Sequence, residues 1–280
     1  MERHYSILGM AHMAQGQPLY YDAVNEKGLA IAGLNFPVSA AYHRGNEDRD
    51  RIAPFELIPW LLGQCATVEE AEVLLGRMDL VREDFSPELL RTPLHWLLAD
   101  RERALVIEPM EEGLKLWDDP VGVLTNEPPF DKQMFRLNDF FHLTATPPEN
   151  RFLPGLELKD YSSGMGALGL PGDLSSQSRF VRAVFARENA RSGESEEESV
   201  SQVFHLLDFV AVPRGTVRLG NGACHITRYS ACCNLDKGIY YYTTYGNRQI
   251  TAVDLRRGDL EGNRPVAYPL VEGERIFQQN

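Results

Sequence analysis

The chain has 280 residues, 43% of them hydrophobic and 24% charged, ordinary values for a globular protein with a sizeable core. A formal net charge of -12, with no clustered basic stripe, argues against a nucleic-acid partner. Four cysteines at this length do not make a disulfide framework, no apolar run reaches the length of a membrane span, and the amino terminus has no apolar signal segment; the reading is a cytoplasmic, soluble protein. No repeat or long linker divides the chain, so one domain over residues 1–280 is expected.

Tyr5 to Met10 and Leu29 to Val38 read as strands, the second apolar on both faces and therefore buried. Pro54 to Cys65 reads as a helix carrying Leu57, Ile58, Leu61 and Leu62. A second helix starts at Thr67, where Glu70 completes a capping box and Val68, Ala71, Leu74 and Leu75 form the apolar stripe. From Thr92 the pattern changes to short strands: Leu94 to Ala99, Ala104 to Glu108, Leu114 to Trp117 and Gly122 to Thr125, divided by charged or Gly/Pro turns. Two helices follow, Ser178 to Ala190 and one begun by the Ser195/Glu198 capping box. The chain then returns to strands at His225 to Leu235, Gly238 to Tyr245 and Gln249 to Leu255. Helices on two mostly antiparallel sheets make an α+β fold, for which a four-layer α-β-β-α sandwich is one natural arrangement.

Three polar residues stand where the pattern makes them conspicuous. Asn35 closes an apolar strand before Phe36-Pro37; it is either a structural amide bonded to loop backbone or an oxyanion donor, worth roughly 3 kcal/mol to an acyl-transfer transition state. Asn126 ends a short strand before Pro128-Pro129, where a turn amide bonding its own backbone is the plain alternative. Arg214, between Pro213 and Gly215, is either a solvated loop arginine or a partner for a thiolate or carboxylate. Cys224-His225 and the adjacent Cys232 and Cys233 match no zinc-ligand spacing, so neither metal nor other cofactor is expected. His95, beside Trp96, reads as a satisfied core histidine and Cys65 as structural.

Six blocks in order, VNEKGLAIAGLNFP, PLHWLLADR, VGVLTNEPPFD, GLPGDLSSQSRFVRAVF, FVAVPRGTVR and TRYSACCNLDKGIYYYTTYGNRQITAVDL, closely resemble the choloylglycine hydrolases, bile salt hydrolases of the N-terminal nucleophile superfamily. The resemblance runs from about Tyr5 to Tyr268. It implies the four-layer sandwich and cleavage of the amide bond of glycine- or taurine-conjugated bile acids. By it, Asn35 is the oxyanion-hole asparagine, Asn126 lies near the nucleophile's amino group, Arg214 lies beside the nucleophilic sulfur, and Met13, Phe85, Leu89 and Leu94 line the steroid pocket. It also implies a homo-oligomer, commonly a tetramer. Penicillin V acylases typically carry tyrosine at the position of Asn35, which favours the bile salt branch over an acylase; a non-catalytic binder of amphipathic ligands is the remaining alternative. The family's nucleophile is an amino-terminal cysteine, whereas this sequence reads Met1-Glu2-Arg3-His4 and has no cysteine before Cys65. The expectation is a chain without the nucleophile-bearing segment and its strands, inactive by itself.

Overall fold

The computed structural model describes residues 4–262 and 264–280. Two strands open it, β1 (Ile7–Ala14) and β2 (Gln17–Asn25), joined by Gln15 and Gly16, both at positive φ. Such a two-residue turn matches the twist of a hairpin. Then come β3 (Ala30–Asn35), the short β4 (Asp50–Ile52), α1 (Leu57–Leu62), α2 (Val68–Leu75), β5 (Met78–Leu80), β6 (Leu94–Ala99), β7 (Ala104–Met110) and β8 (Gly113–Asp118). After α3 (Phe130–Arg136), α4 (Ser176–Asn189) and α5 (Glu196–Asp208), the chain ends its regular structure with β9 (Tyr229–Asn234), β10 (Ile239–Thr244) and β11 (Asn247–Asp254).

Six strands form one antiparallel sheet in the order β1-β2-β3-β6-β7-β8, and β11-β10-β9 form a second. One face of the large sheet, with Ala23, Ile31, Trp96, Leu98, Leu105 and Ile107, packs on α1 and α2 through Leu57, Leu61, Leu62, Val68 and Leu75. The opposite face faces the small sheet and α3–α4. Period-2 alternation along β10 shows the layering. Tyr240 donates its hydroxyl inward to Asp22 on β2, while its neighbour Tyr241 donates outward to Glu196 at the start of α5. Tyr229 on β9 also donates to Asp22, and Lys237 and Asn234 join Glu196. The result is the expected four-layer α-β-β-α sandwich. Where β1 and β2 run closest, a Cβ on Gly9 would sit 2.1 Å from the Asp22 carbonyl oxygen, so only glycine allows that approach.

The Ser195/Glu198 capping box forms as the spacing predicts, whereas at α2 only the Thr67 half forms, the Glu70 carboxylate accepting from the Ala66 amide at 2.7 Å instead. Thr67 caps α2, accepting from the Glu70 amide, and Ser195 and Glu198 satisfy each other's backbone at α5. Three expectations need correction. The hairpin partner β2 was not anticipated, because a Gln-Gly turn and Pro18 hide it. Residues 122–125 pair with no strand and begin at a left-handed Gly122 (φ +58), their polar groups being taken up by side chains such as Asp119 and His95. Asn35 is exposed, not buried. The buried amide of that run is Asn25, fully enclosed, with Nδ2 donating to the carbonyls of Leu62 and Cys65 at 2.8 Å each. Its Oδ1 accepts from the amides of Lys27 and Leu29 at 3.0 Å each.

Candidate active site

Asn35 leaves the large sheet as the last residue of β3, paired with Leu94 at the start of β6. The next residue, Phe36, is fully buried, and Pro37 stiffens the exit. These neighbours anchor the backbone and leave the Asn35 carboxamide at the surface. Among the described residues no hydrogen bond engages that carboxamide, whereas its backbone carbonyl accepts Nδ2–H of Asn126 at 2.9 Å. The two asparagines, 91 residues apart, thus meet directly.

Asn126 is held on every side. Its amide N–H donates to Ser176 Oγ at 2.8 Å, and its carbonyl accepts from Gln133 Nε2 at 2.8 Å. The same Gln133, fully buried on α3, donates to the Pro128 carbonyl at 2.7 Å and accepts Thr125 Oγ1–H at 2.7 Å. A segment outside any sheet must satisfy its polar groups in this way or lose stability. On the following residue, Glu127 Oε1 accepts from the amides of Val38 and Ser39, at 2.8 and 2.9 Å, and Oε2 accepts from Ser39 Oγ at 2.9 Å. The Glu127–Pro128 peptide is cis. The exits of β3 and of residues 121–125 are therefore clamped together twice, once by Asn126 and once by Glu127.

The arginine at this place is Arg179 of α4, which sequence reasoning missed. Its Nη2 donates to Asn126 Oδ1 at 2.7 Å and its Nε donates to the Leu174 carbonyl at 3.3 Å. Arg182, one turn on, donates to the carbonyls of Pro171, Asp173 and Phe209. Among the described residues neither guanidinium has a carboxylate partner. Burial, and then the charge of Arg182, push Arg179 down, yet a guanidinium stays protonated in proteins. The Arg179 charge beside Asn126, with no carboxylate partner, favours an anion there. The signal available in the sequence was the pair of arginines three residues apart beside the buried Phe180 and Val181 of one helix.

Arg214 is not part of this cluster. It lies on an exposed loop before Gly215 (φ +95), with its guanidinium 5.1 Å from the Tyr245 ring centroid and its amide donating to Tyr245 Oη. The Pro-Arg-Gly turn projects the side chain onto that ring, and no hydrogen bond joins it to Asn35 or Asn126. Of the apolar residues expected around a steroid, Leu94 is opposite Asn35 in the ladder and packs on the core beside α1 and α2. Phe85, edge-on to Phe55 at 5.3 Å, and Leu89 sit on the loop that leads into β6. Met13 is 45% exposed beside the β1–β2 turn. A groove of about 900 Å³ lies elsewhere, along residues 43–49, β5 and Leu114, and includes none of the four.

The cysteines are remote in chemistry from the amide pair. Burial pushes the Cys65 thiol up to about 11 and Cys232 up to about 11, and raises Cys233, which faces Asp22 across the sheets. A raised thiol is a poor nucleophile. Among the described residues no group of three or more His, Cys, Asp or Glu side chains is placed to hold a metal ion, and no helix is long and apolar enough to cross a membrane.

Residues 1–268 match the profile of the linear amide C–N hydrolases, choloylglycine hydrolase family. The chain is 49% identical over 280 residues, all of its length and 86% of the relative's, to a bile salt hydrolase/transferase of Lactiplantibacillus plantarum. It is 35% identical over 266 residues, 94% of the chain and 81% of the relative, to a bile salt hydrolase/transferase of Clostridium perfringens. The crystal structure of a mutant conjugated bile acid hydrolase from Clostridium perfringens superposes with a TM-score of 0.91 over 99% of this chain and 84% of that one, at 35% identity. Penicillin V acylase from Agrobacterium tumefaciens shares the fold with a TM-score of 0.67 at 23% identity, over 86% of this chain and 68% of that one. With the paired asparagines between the strand exits and the profile spanning nearly its whole length, the chain belongs to the choloylglycine hydrolase family of linear amide C–N hydrolases.

Proposed function

We propose that the chain is a bile salt hydrolase-type amidase, acting in the cytoplasm as one domain and as a homo-oligomer on glycine- or taurine-conjugated bile acids. The observation that carries the reading is the Asn35–Asn126 pair, with an unneutralised Arg179 behind it. Attack on the amide carbonyl places negative charge on its oxygen. Preorganised amide N–H groups aimed at that charge stabilise it more than they stabilise the substrate. The exposed Asn35 carboxamide is the donor, Asn126 fixes the strand exit that presents it, and the Arg179 charge favours the anionic partner. Leu94, opposite Asn35, together with Met13, Phe85 and Leu89, is the apolar surface assigned to a hydrocarbon ring system.

These 280 residues supply the oxyanion side of the site and no nucleophile, since three of the four thiols are raised by burial and the fourth, Cys224, is on an exposed loop with none of the pair's hydrogen bonds. The chain alone is expected to release no taurine from taurocholate. The same chain, preceded by an amino-terminal segment carrying the nucleophilic cysteine that the family resemblance implies, is expected to release it. Turnover by the chain alone overturns the first statement. An extended, folded chain that cleaves penicillin V but no bile salt overturns the choice of substrate, and one that cleaves neither overturns the amidase reading in favour of a binder.

A further inference from the structure

One buried imidazole touches both halves of the amide pair. The His95 ring stacks on Phe36, the residue after Asn35, with centroids 4.2 Å apart and planes 5° from parallel. Its Nε2 lies 2.7 Å from the carbonyl oxygen of Thr125, the residue before Asn126. A carbonyl only accepts, so Nε2 carries the hydrogen and donates. Nδ1 lies 3.1 Å from Glu108 Oε1, and His95 and Glu108 are both completely buried. Glu108 in turn accepts from the Phe130 amide at 3.0 and 3.2 Å and from Trp117 Nε1 at 3.2 Å. The carboxylate is thereby locked to β8 and to the first residue of α3.

A buried acid–imidazole pair is commonly no more stabilising than apolar residues of the same volume. What it supplies is direction. Phe36 follows β3 and Thr125 lies in a segment with no ladder bonds, so nothing in either sheet fixes their spacing. The imidazole joins the Asn126 and Glu127 clamps in fixing it, by a face on one side and a ring N–H on the other, while Glu108 sets the orientation of the ring. This is how an outer polar partner orients a catalytic group it does not join.

We propose that His95, oriented by Glu108, is the positioning residue of the amidase site and sets the separation of Asn35 and Asn126. The proposal rests on the reading of that pair as the oxyanion side. His95→Gln can return an amide N–H to the Thr125 carbonyl, whereas His95→Asn can reach only toward Glu108. The test uses the 280-residue chain with ¹⁵N-labelled asparagine, following the side-chain NH₂ signals of Asn126 and Asn25. The expected result is a displaced Asn126 signal in His95→Asn, its return in His95→Gln, and an unmoved Asn25 signal in both, since Asn25 bonds to Leu62 and Cys65 on the far side of the large sheet. In the chain extended by the nucleophile segment, His95→Asn is expected to lower kcat about 100-fold, the scale of a small misplacement of a catalytic group, with little change in KM. His95→Gln is expected to recover most of it. Asn126 and Asn25 signals that move together, or equal kcat for the two variants, would reduce His95 to core packing and overturn the proposal. If the amide signals respond as stated while the extended parent cleaves no bile salt, the positioning role stands and the substrate reading falls.

Discussion

Two asparagines ten positions apart divide structure from chemistry. Asn25 uses its carboxamide fully, with two hydrogen bonds given and two received inside the core. Truncating it leaves two carbonyls and two amides unpaired, and buried unsatisfied groups are costly. Asn25→Ala is therefore expected to destabilise the chain by about 3 kcal/mol in urea titration. Asn35→Ala, at the surface, should move the midpoint little and appear only in turnover. A similar contrast holds for two arginines. In the chain carrying the nucleophile segment, Arg179→Ala is expected to lower kcat at least about 100-fold, the scale of a lost preorganised electrostatic partner. Arg214→Ala, which loses one exposed cation–π contact, should stay within about threefold. Equal losses would return Arg214 to the site. Sequence reasoning located Asn35 and Asn126 through the apolar run and the proline exit beside each. It singled out Arg214, which the structure does not bring to the pair, because Pro-Arg-Gly announces a turn, whereas Arg179 lies inside a helix noticed for its apolar residues.

At the scale of elements, what was legible followed local rules. Thr67/Glu70 and Ser195/Glu198 specify helix starts within four residues, and Ser195→Ala is expected to cost about 1 kcal/mol, read as a lower thermal midpoint. What was hidden was non-local. Nothing near residues 122–125 announces that Gln133, Ser176 and His95 will satisfy them in place of a strand. The inter-sheet contact is likewise assembled from distant parts, Asp22 receiving Tyr229 and Tyr240 from more than 200 residues away. Burial between the sheets raises the Asp22 carboxyl, which the phenol hydrogen bonds offset only in part. As pH climbs past the ordinary carboxylate range, the folded chain keeps a proton that the unfolded chain has lost. Stability should therefore fall with rising pH until the raised value is passed. Asp22→Asn is expected to flatten that slope, measured as urea midpoints between about pH 4 and 7. An unchanged slope would place the effect on other groups.

Over the whole molecule, the Asn35–Asn126 pair sits where β3 leaves the large sheet, and apolar surface is exposed elsewhere. Phe141, Phe152, Tyr161, Val266, Ile276 and Phe277 are all at least two-thirds exposed, along the segments before α4 and after β11. Apolar side chains exposed along two such segments suit an interface between copies of the chain. Sedimentation is expected to show an oligomer that Phe152→Glu with Phe277→Glu weakens; a monomer at micromolar concentration would remove oligomer formation from the proposed function. Element order was readable because periodicity carries it, the four-layer architecture came from the family resemblance, and the pairing of Asn35 with Asn126 came from a contact 91 residues apart.

The hydrogen bonds around Asn126 also fix how many hydrogens remain for a ligand. A carboxamide has two N–H hydrogens. One of those on Asn126 is committed to the Asn35 carbonyl, and its oxygen is committed to Arg179. One hydrogen on Asn126 and two on Asn35 are left, three in all. Tetrahedral oxygen with a full negative charge has three lone pairs, whereas the planar carbonyl it comes from offers two. The two hydrogens of one NH₂ group point apart, so each asparagine can give at most one to the same oxygen, and on the proposed reading the oxyanion keeps a lone pair for a third donor.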